Sequence, residues 1–339
     1  MASRELESVA RAMVADGKGI LAADESFPTI KKRFAGINLE STEENRRAYR
    51  ELLFTTPSVE DYISGVIMFD ETLRHRAADG TPFPELLARV GTIPGIKVDC
   101  GAKPLAGFPD EKITEGLDGL RDRLKEYYGL GARFTKWRAV ISIGHAIPTA
   151  FCIDANAHAL ARFAALSQEA GLVPIVEPEV LMDGEHSIER CERVTETTLK
   201  HVFFHLHAHR VALEGMILKP NMVIAGKDCP EQTSVEDVAA ATVRCLLRTV
   251  PASVPGIVFL SGGQSPKLST QHLNAMNAIG DHPWQLSFSY GRALQQEALE
   301  AWGGSESNVA AAQAAYLHRA KCVGAARYGK YSDEFETAA

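Results

Sequence analysis

The sequence is short of the features that would place it at a membrane, on nucleic acid or in an oxidising compartment. No stretch approaches the ~20 consecutive apolar residues that a membrane helix needs. The opening residues, MASRELESVARAMVADGKG, are charged throughout and hold no apolar core of a secretion signal. Both absences point to a cytoplasmic protein with no membrane partner. Six cysteines (Cys100, Cys152, Cys191, Cys229, Cys245 and Cys322) stand without any C-x-x-C pair, so all six read as structural or incidental thiols, buried in a reducing setting. Positive charge is not in excess. The 36 Lys and Arg face 43 Asp and Glu, for a net charge of −7, and no basic face offers counter-charge to a nucleic acid. Any phosphate must therefore be held locally. A G-x-G-x-x-G turn after an early strand is also missing, which removes the main signal of a doubly wound dinucleotide fold. No linker rich in Pro, Gly or Ser divides the 339 residues, which are read as one domain over 1–339.

What is present is the composition of a folded protein, 45% hydrophobic and 23% charged. Eight short apolar runs are bounded by turn signals: Gly19–Glu25, Ile63–Asp70, Gly95–Asp99, Phe134–Val140, Val173–Val180, Gly215–Val223, Gly256–Gly262 and Trp284–Tyr290. Helical spacing of apolar residues lies between them, over Ile113–Tyr128, Ala155–Ala170, Ser187–His209, Ser234–Thr249 and Ser269–Ile279. Ser41-Thr-Glu-Glu44 reads as a capping box that opens another helix through about Leu53. Strands alternating with helices imply a parallel sheet, and eight repeats favour closure over an open sheet. The expected fold is thus α/β, a single (β/α)8 TIM barrel. A C-terminal helix over about Ser307–Ala326 and a polar, mobile tail from about Arg327 to Ala339 complete it.

Ionisable residues collect near the C-terminal ends of these strands, where a barrel builds its active site. They are Asp24, Lys97, Lys136, Arg138, Glu177, Glu179 and Lys219. Residues i and i+2 of a strand share a face, so Lys136 with Arg138, and Glu177 with Glu179, are candidates for one mouth. Each charge alone is as readily a structural ion pair. The set is not, because structural pairs have no reason to gather at one end of successive strands.

Lys219 sits between Met216-Ile-Leu218 and Pro220. Desolvation, together with Lys136, should push its amine below the usual lysine value of about 10.4 and free it to attack a ketone. An imine formed there would withdraw electrons from a neighbouring carbon–carbon bond. Cleavage then needs a base, an acid and a supporting cation, for which Asp24, Glu177 and Lys136 are suitable by type. Ser261-Gly262-Gly263 after strand seven and Ser289-Tyr-Gly291-Arg292 after strand eight form a candidate phosphate cradle. A second anion site is read near Ser26, Thr29 and Arg33, with help from Lys97. The histidines His201, His205, His207 and His209 lie on an outer helix with no carboxylate in evidence, and read as structural rather than as a metal site.

These residues stand in blocks that resemble class I fructose-1,6-bisphosphate aldolase, the metal-independent family that works through a Schiff base. The blocks are GKGILAADES, STEENRRAYRELL, GIKVD, PLAG, GLDGLRDR, FTKWRAV, GLVPIVEPEV, LEGMILKPNMV, FLSGGQS and FSYGRALQ, in order from about Lys18 to Trp302. The resemblance implies that Lys219 forms the imine, that Glu177 is the general acid and base, that Asp24 helps take the C4 hydroxyl proton, and that Lys136 supports the intermediates. It also implies that Ser261, Gly262, Gly291 and Arg292 hold the C1 phosphate, that Ser26, Arg33 and Lys97 hold the C6 phosphate, and that Arg138 contributes nearby. A phosphorylated sugar as substrate, no cofactor or metal, and a homotetramer follow from the same resemblance.

The sequence departs from the family at three places. Where many members carry a T-G-S-I-type loop, this chain reads Phe27-Pro28-Thr29-Ile30, a stiffer loop whose hydroxyl comes from Thr29. Many members end in a longer tail closing with a tyrosine that assists proton return, whereas this chain stops at Phe335-Glu-Thr-Ala-Ala339, leaving Tyr328 and Tyr331 as possible substitutes. Cys100 stands where lysine is common in the K-V-D-K-G block. The leading expectation is reversible cleavage of fructose 1,6-bisphosphate. Another ketose phosphate such as fructose 1-phosphate, a non-catalytic scaffold on the same fold, and a metal-dependent aldolase inhibited by EDTA are the alternatives.

Overall fold

A computed structural model describes residues 2–337; Met1 and the last two tail positions, Ala338 and Ala339, lie outside the described residues. The strands are β1 (Gly19–Ala23), β2 (Ile63–Met68), β3 (Ile93–Lys97), β4 (Ala102–Pro104), β5 (Lys112–Thr114), β6 (Phe134–Ile141), β7 (Val173–Val180), β8 (Ile217–Leu218), β9 (Gly256–Phe259) and β10 (Gln285–Tyr290). Eight of them close into a parallel barrel in the order β1-β10-β9-β8-β7-β6-β3-β2. These are the eight apolar runs read from the sequence, with ends shifted by a few residues. The other two, β4 and β5, pair as an antiparallel ribbon outside the barrel.

The helices are α1 (Ala2–Met13), α2 (Phe27–Ala35), α3 (Glu43–Phe54), α4 (Asp70–Arg74), α5 (Phe83–Arg89), α6 (Leu120–Gly129), α7 (Ala150–Glu169), α8 (Ile188–Ala208), α9 (Val235–Thr249), α10 (Pro266–Ala278), α11 (Arg292–Trp302), α12 (Val309–Ala326) and α13 (Glu334–Thr337). Side-chain caps fix several starts: Thr149, Ser187, Ser234 and Ser265 each accept from a backbone N–H three residues on. Four expectations change. The cap of α3 is Thr42, which accepts from the Asn45 N–H, while the Ser41 carbonyl accepts from Arg46. The predicted helix at Ile113 begins only at Leu120, since Lys112–Thr114 is drawn into the ribbon with Ala102–Pro104. Phe27-Pro28-Thr29-Ile30 is not a loop but the first turn of α2, where proline needs no hydrogen-bond donor. The tail is not loose: Arg327 and Tyr331 are buried, and Arg319 of α12 binds Glu336 of α13.

The barrel interior is filled by Ile20, Ala22, Ile67, Phe134, Val173, Ile175, Ile217 and Val258, and Leu6, Ala10 and Met13 of α1, with Val14 just after it, close the N-terminal end. Bulk at Phe134 and Phe288 dictates glycine opposite. A Cβ on Gly95 would overlap the Phe134 ring, and one on Gly19 would fall 2.5 Å from Phe288. The larger core lies between the sheet and the helices, with Trp137, Phe163, Phe259 and Tyr316 fully buried. Apolar packing below and around the strands leaves their C-terminal ends as the open, polar end.

Candidate active site

The inward rows of the barrel continue into the charged residues. Ile20 and Ala22 lead to Asp24, Phe134 to Lys136, Val173 and Ile175 to Glu177, and Ile217 to Lys219, each two residues further on. Register levels them: β3 pairs Lys97 with Lys136, and β6 pairs Arg138 with Glu177. The four side chains form one contiguous chain. Lys136 Nζ lies 2.6 Å from Asp24 Oδ2 and 3.2 Å from Glu177 Oε2, while Lys219 Nζ lies 3.3 Å from Glu177 Oε1. Glu177 Oε2 is close enough to Lys136 for an ion pair but accepts no well-aligned hydrogen bond. It is therefore held by charge rather than by a directed bond.

Lys219 is 3% exposed, and burial pushes its amine below the usual lysine range, with Lys136 adding to the effect and Glu177 and Asp24 opposing it. Lys136 shows the reverse. Burial favours its neutral form too, but Asp24, Glu177 and Asp99 outweigh that and hold it above the usual range. Burial alone would raise both carboxyls; the cations of Lys136 and Lys219 dominate, and Asp24 and Glu177 end below the usual carboxylate range. Two buried lysines a few ångströms apart are thus shifted in opposite directions. One is held more firmly as an ammonium and the other is moved toward the free amine.

Around this centre, Arg138 pairs with Glu179, and Lys97 binds Asp99 Oδ1 at 2.6 Å while Asp99 Oδ2 accepts from the Arg138 N–H. At the far side, Gly262 and Gly263 both adopt positive φ, and Arg292 donates to the Gly263 carbonyl. Ser261 is buried beside them, and the hydroxyl of Ser289 is buried with no partner. Gly291 precedes α11, so the Ser289–Arg292 segment meets a helix N-terminus as read from the sequence. Ser26 and Thr29 face each other at 3.2 Å at the start of α2. Arg33 pairs with Glu25, and its Nη2 lies 3.5 Å from where a Cβ of Gly291 would stand.

Sequence reasoning missed Glu25 and Gln295. Glu25 is buried between Arg33 and Arg50, and the Gln295 amide donates to both Glu25 and the Ala22 carbonyl. A carboxylate directly after Asp24 in ADES was the available signal, but only folding brings Arg50 to it. Among the histidines, His205 does have a carboxylate partner, Asp154 of α7 at 2.8 Å, with the His158 ring edge-on to it. The pair is an outer-layer contact between α7 and α8, out of reach of a local reading. Cys100 is exposed and Cys229 partly so, against the expectation of burial. Tyr328 lies against Gly17, before the start of β1 at the closed end of the barrel, and the Tyr331 hydroxyl donates to Glu336.

Comparison with known proteins finds relatives along the whole chain. A profile of the family described as fructose-bisphosphate aldolase class-I matches residues 5–339. A protein of Xanthomonas campestris pv. campestris, named probable fructose-bisphosphate aldolase class 1, is 62% identical over 332 residues, covering 98% of this chain and 99% of the relative. Fructose-bisphosphate aldolase 4, cytosolic, of Arabidopsis thaliana is 56% identical over 319 residues, 94% of this chain and 81% of that one. Among solved structures, fructose-bisphosphate aldolase from Plasmodium falciparum, crystallised with TRAP and a small-molecule inhibitor, superposes with a TM-score of 0.96 at 52% identity, covering 98% and 96% of the two chains.

Proposed function

The chain belongs to the class I fructose-bisphosphate aldolase family, and from that premise we propose how its own residues divide the work. The protein is a lyase that cleaves fructose 1,6-bisphosphate reversibly into dihydroxyacetone phosphate and glyceraldehyde 3-phosphate, through a lysine Schiff base and without a metal. The observation that carries the assignment of roles is the unbroken chain Asp24–Lys136–Glu177–Lys219, in which Lys219 is the lysine whose amine is held below its usual range while Lys136 is held above it.

Lys219 attacks the ketone carbon as a free amine. Glu177, 3.3 Å away and ionised in the resting site, takes the proton that the nitrogen sheds and passes it to the carbinolamine oxygen, and a second proton drawn from solvent lets that oxygen leave as water. The acid role thus follows from a proton acquired in the preceding step. The protonated imine draws the electron pair of the C3–C4 bond toward nitrogen while Asp24, kept as a carboxylate, accepts the C4 hydroxyl proton, and the aldehyde departs. Lys136 holds both carboxylates ionised and stays charged throughout. Reprotonation at C3 and hydrolysis of the imine release the second product and restore Lys219.

The partnerless Ser289 hydroxyl and the positive-φ pair Gly262-Gly263 support phosphate binding by Ser261, Gly262, Gly263, Ser289, Gly291 and Arg292. Ser26, Thr29, Arg33 and Lys97 bind the other phosphate, with Arg33 at the boundary of the two groups. Arg138 and Glu179 line the mouth between them. The whole chain works as one barrel unit in the cytosol, a reading supported by the cytosolic plant relative and by the absence of a membrane-crossing helix among the described residues. Exposed Phe151, Phe204 and Leu247 on α7, α8 and α9 support a homotetramer, which light scattering would test.

Borohydride reduction in the presence of dihydroxyacetone phosphate should leave its adduct on the peptide bearing Lys219, and an unmodified peptide would overturn the imine assignment. Arg33 and Lys97 each already hold an internal carboxylate, which keeps fructose 1-phosphate in view as a second substrate. Turnover with and without the C6 phosphate measures what those cations add.

A further inference from the structure

The outer layer brings together three side chains that the proposed reaction leaves unused. His318 and Cys322 lie four residues apart on α12 and so share a face, and α13 lays Glu336 against them. The candidate donor atoms of the three lie within 4.8 Å of one another. Cys322 Sγ is 3.7 Å from His318 Nε2. Around a tetrahedral ion with metal–sulfur and metal–nitrogen bonds of about 2.3 and 2.0–2.1 Å, sulfur and nitrogen stand about 3.6 Å apart. The pair therefore already has the spacing of two ligands of one ion.

Charge points the same way. Buried Arg319 donates to both oxygens of Glu336, at 2.8 and 2.5 Å, and to Glu297 at 2.9 Å, and Tyr331 also donates to Glu336. One cation thus faces two carboxylates, an excess of one negative charge. An ionised Cys322 would deepen the excess to two, which a dipositive ion neutralises. Without such an ion, burial pushes the Cys322 thiol up to about 11. A carboxylate has about four lone-pair sites; Arg319 and Tyr331 use three on Glu336 and leave one. A cleft of about 410 Å³, lined by Tyr62, His318, Lys321, Cys322, Tyr328 and Phe335 among others, opens onto the pair. It admits an ion and the water that would complete four-coordination.

We propose that His318, Cys322 and Glu336 bind zinc, or a similarly soft divalent cation, and that this ion fastens the C-terminal segment to α12. Binding exchanges the Cys322 S–H bond for a sulfur–metal bond and releases one proton, with no change of oxidation state. No residue around Lys219 takes part, so the ion is structural and the aldol chemistry proceeds without it.

The test uses the full chain stripped by a chelator and titrated with cobalt(II), then zinc. One equivalent of cobalt should give a thiolate-to-metal charge-transfer band that zinc removes, and zinc should slow proteolysis within residues 328–337. Losing an outer hydrogen-bonded partner of a metal site already weakens binding by about 10–100-fold, so Cys322→Ser, which removes a ligand, should weaken zinc by at least about 100-fold and abolish the band. His318→Gln and Glu336→Gln should weaken it too, whereas Cys100→Ser should not. Circular dichroism and cleavage of fructose 1,6-bisphosphate check that each variant is folded, and Glu336→Gln, on the terminal helix, remains if a helix α12 variant does not fold. Absence of the band in the native chain, or its survival in Cys322→Ser, overturns the proposal.

Discussion

Replacing Lys136 by methionine separates the two lysines of the site. Both lysine nitrogens approach the same carboxylate, at 3.2 and 3.3 Å. Two unit charges roughly 6 Å apart at an effective dielectric of about 20 repel by ~3 kcal/mol, which at 1.36 kcal/mol per unit corresponds to about two pH units. Removing Lys136 lifts that repulsion from Lys219 and leaves Glu177 and Asp24 to stabilise its ammonium undivided. The amine should therefore titrate higher, and the free-amine fraction at neutral pH should fall, by up to about 100-fold for a two-unit rise. The assay is the pH dependence of borohydride trapping with dihydroxyacetone phosphate, followed by mass analysis of the Lys219 peptide. Lys136→Arg keeps the cation and should keep the midpoint near that of the native protein. Because a broken buried pair leaves uncompensated charge, Lys136→Met should also lose about 3–5 kcal/mol of stability in urea unfolding, so trapping is measured where circular dichroism shows the variant folded. A midpoint that stays put or moves down in Lys136→Met would refute the electrostatic reasoning outright.

Glu177→Gln removes the proton carrier beside Lys219 and should lower turnover by about 10²–10⁴-fold with little change in substrate binding, read from steady-state cleavage and direct titration. His272 is buried on α10, with Nδ1 2.5 Å from Gln264 Oε1, and burial lowers it to about 4. The unfolded chain takes up its proton near pH 6.5 and the folded one only near 4, so stability should fall as pH drops through that window, by ~2 kcal/mol between pH 6.5 and 5; urea midpoints should fall less in His272→Asn. Gly95→Ala drives a methyl into the Phe134 ring and should cost about 1–3 kcal/mol or more, seen in thermal unfolding and partly recovered by Phe134→Leu.

The barrel was legible because its strands are buried on both sides and so appear as near-continuous apolar runs with turns between them. Val173–Val180 coincides with its run to the residue. Misreadings fell where the decisive partner is distant in sequence. Ile113 carries helical spacing, yet Lys112–Thr114 is a strand because Ala102–Pro104 offers it backbone partners. The one-residue error at Ser41 and Thr42 is local instead: both are good caps by type, and Thr42 is the one that accepts from the Asn45 N–H.

The candidate site was legible for a related reason: alternation along a strand tells which side chains point inward, so Asp24, Lys136, Glu177 and Lys219 could be assigned to one face before any closure was known. What alternation cannot supply is the order of contact. That Lys136 lies between the two carboxylates, leaving Lys219 only Glu177 within 4 Å, depends on barrel register, and the opposite titration of the two lysines depends on that order. The tail fails in the complementary way. Its polar residues suggested solvent, but Arg327 buries its stem while its guanidinium donates to Gln285 at 2.6 Å and to the carbonyl of Ala15. Arg319 is likewise enclosed between Glu297 and Glu336. A long cationic side chain whose terminal nitrogens find internal acceptors anchors a segment as an apolar one does, and composition alone does not distinguish it from one that points into water.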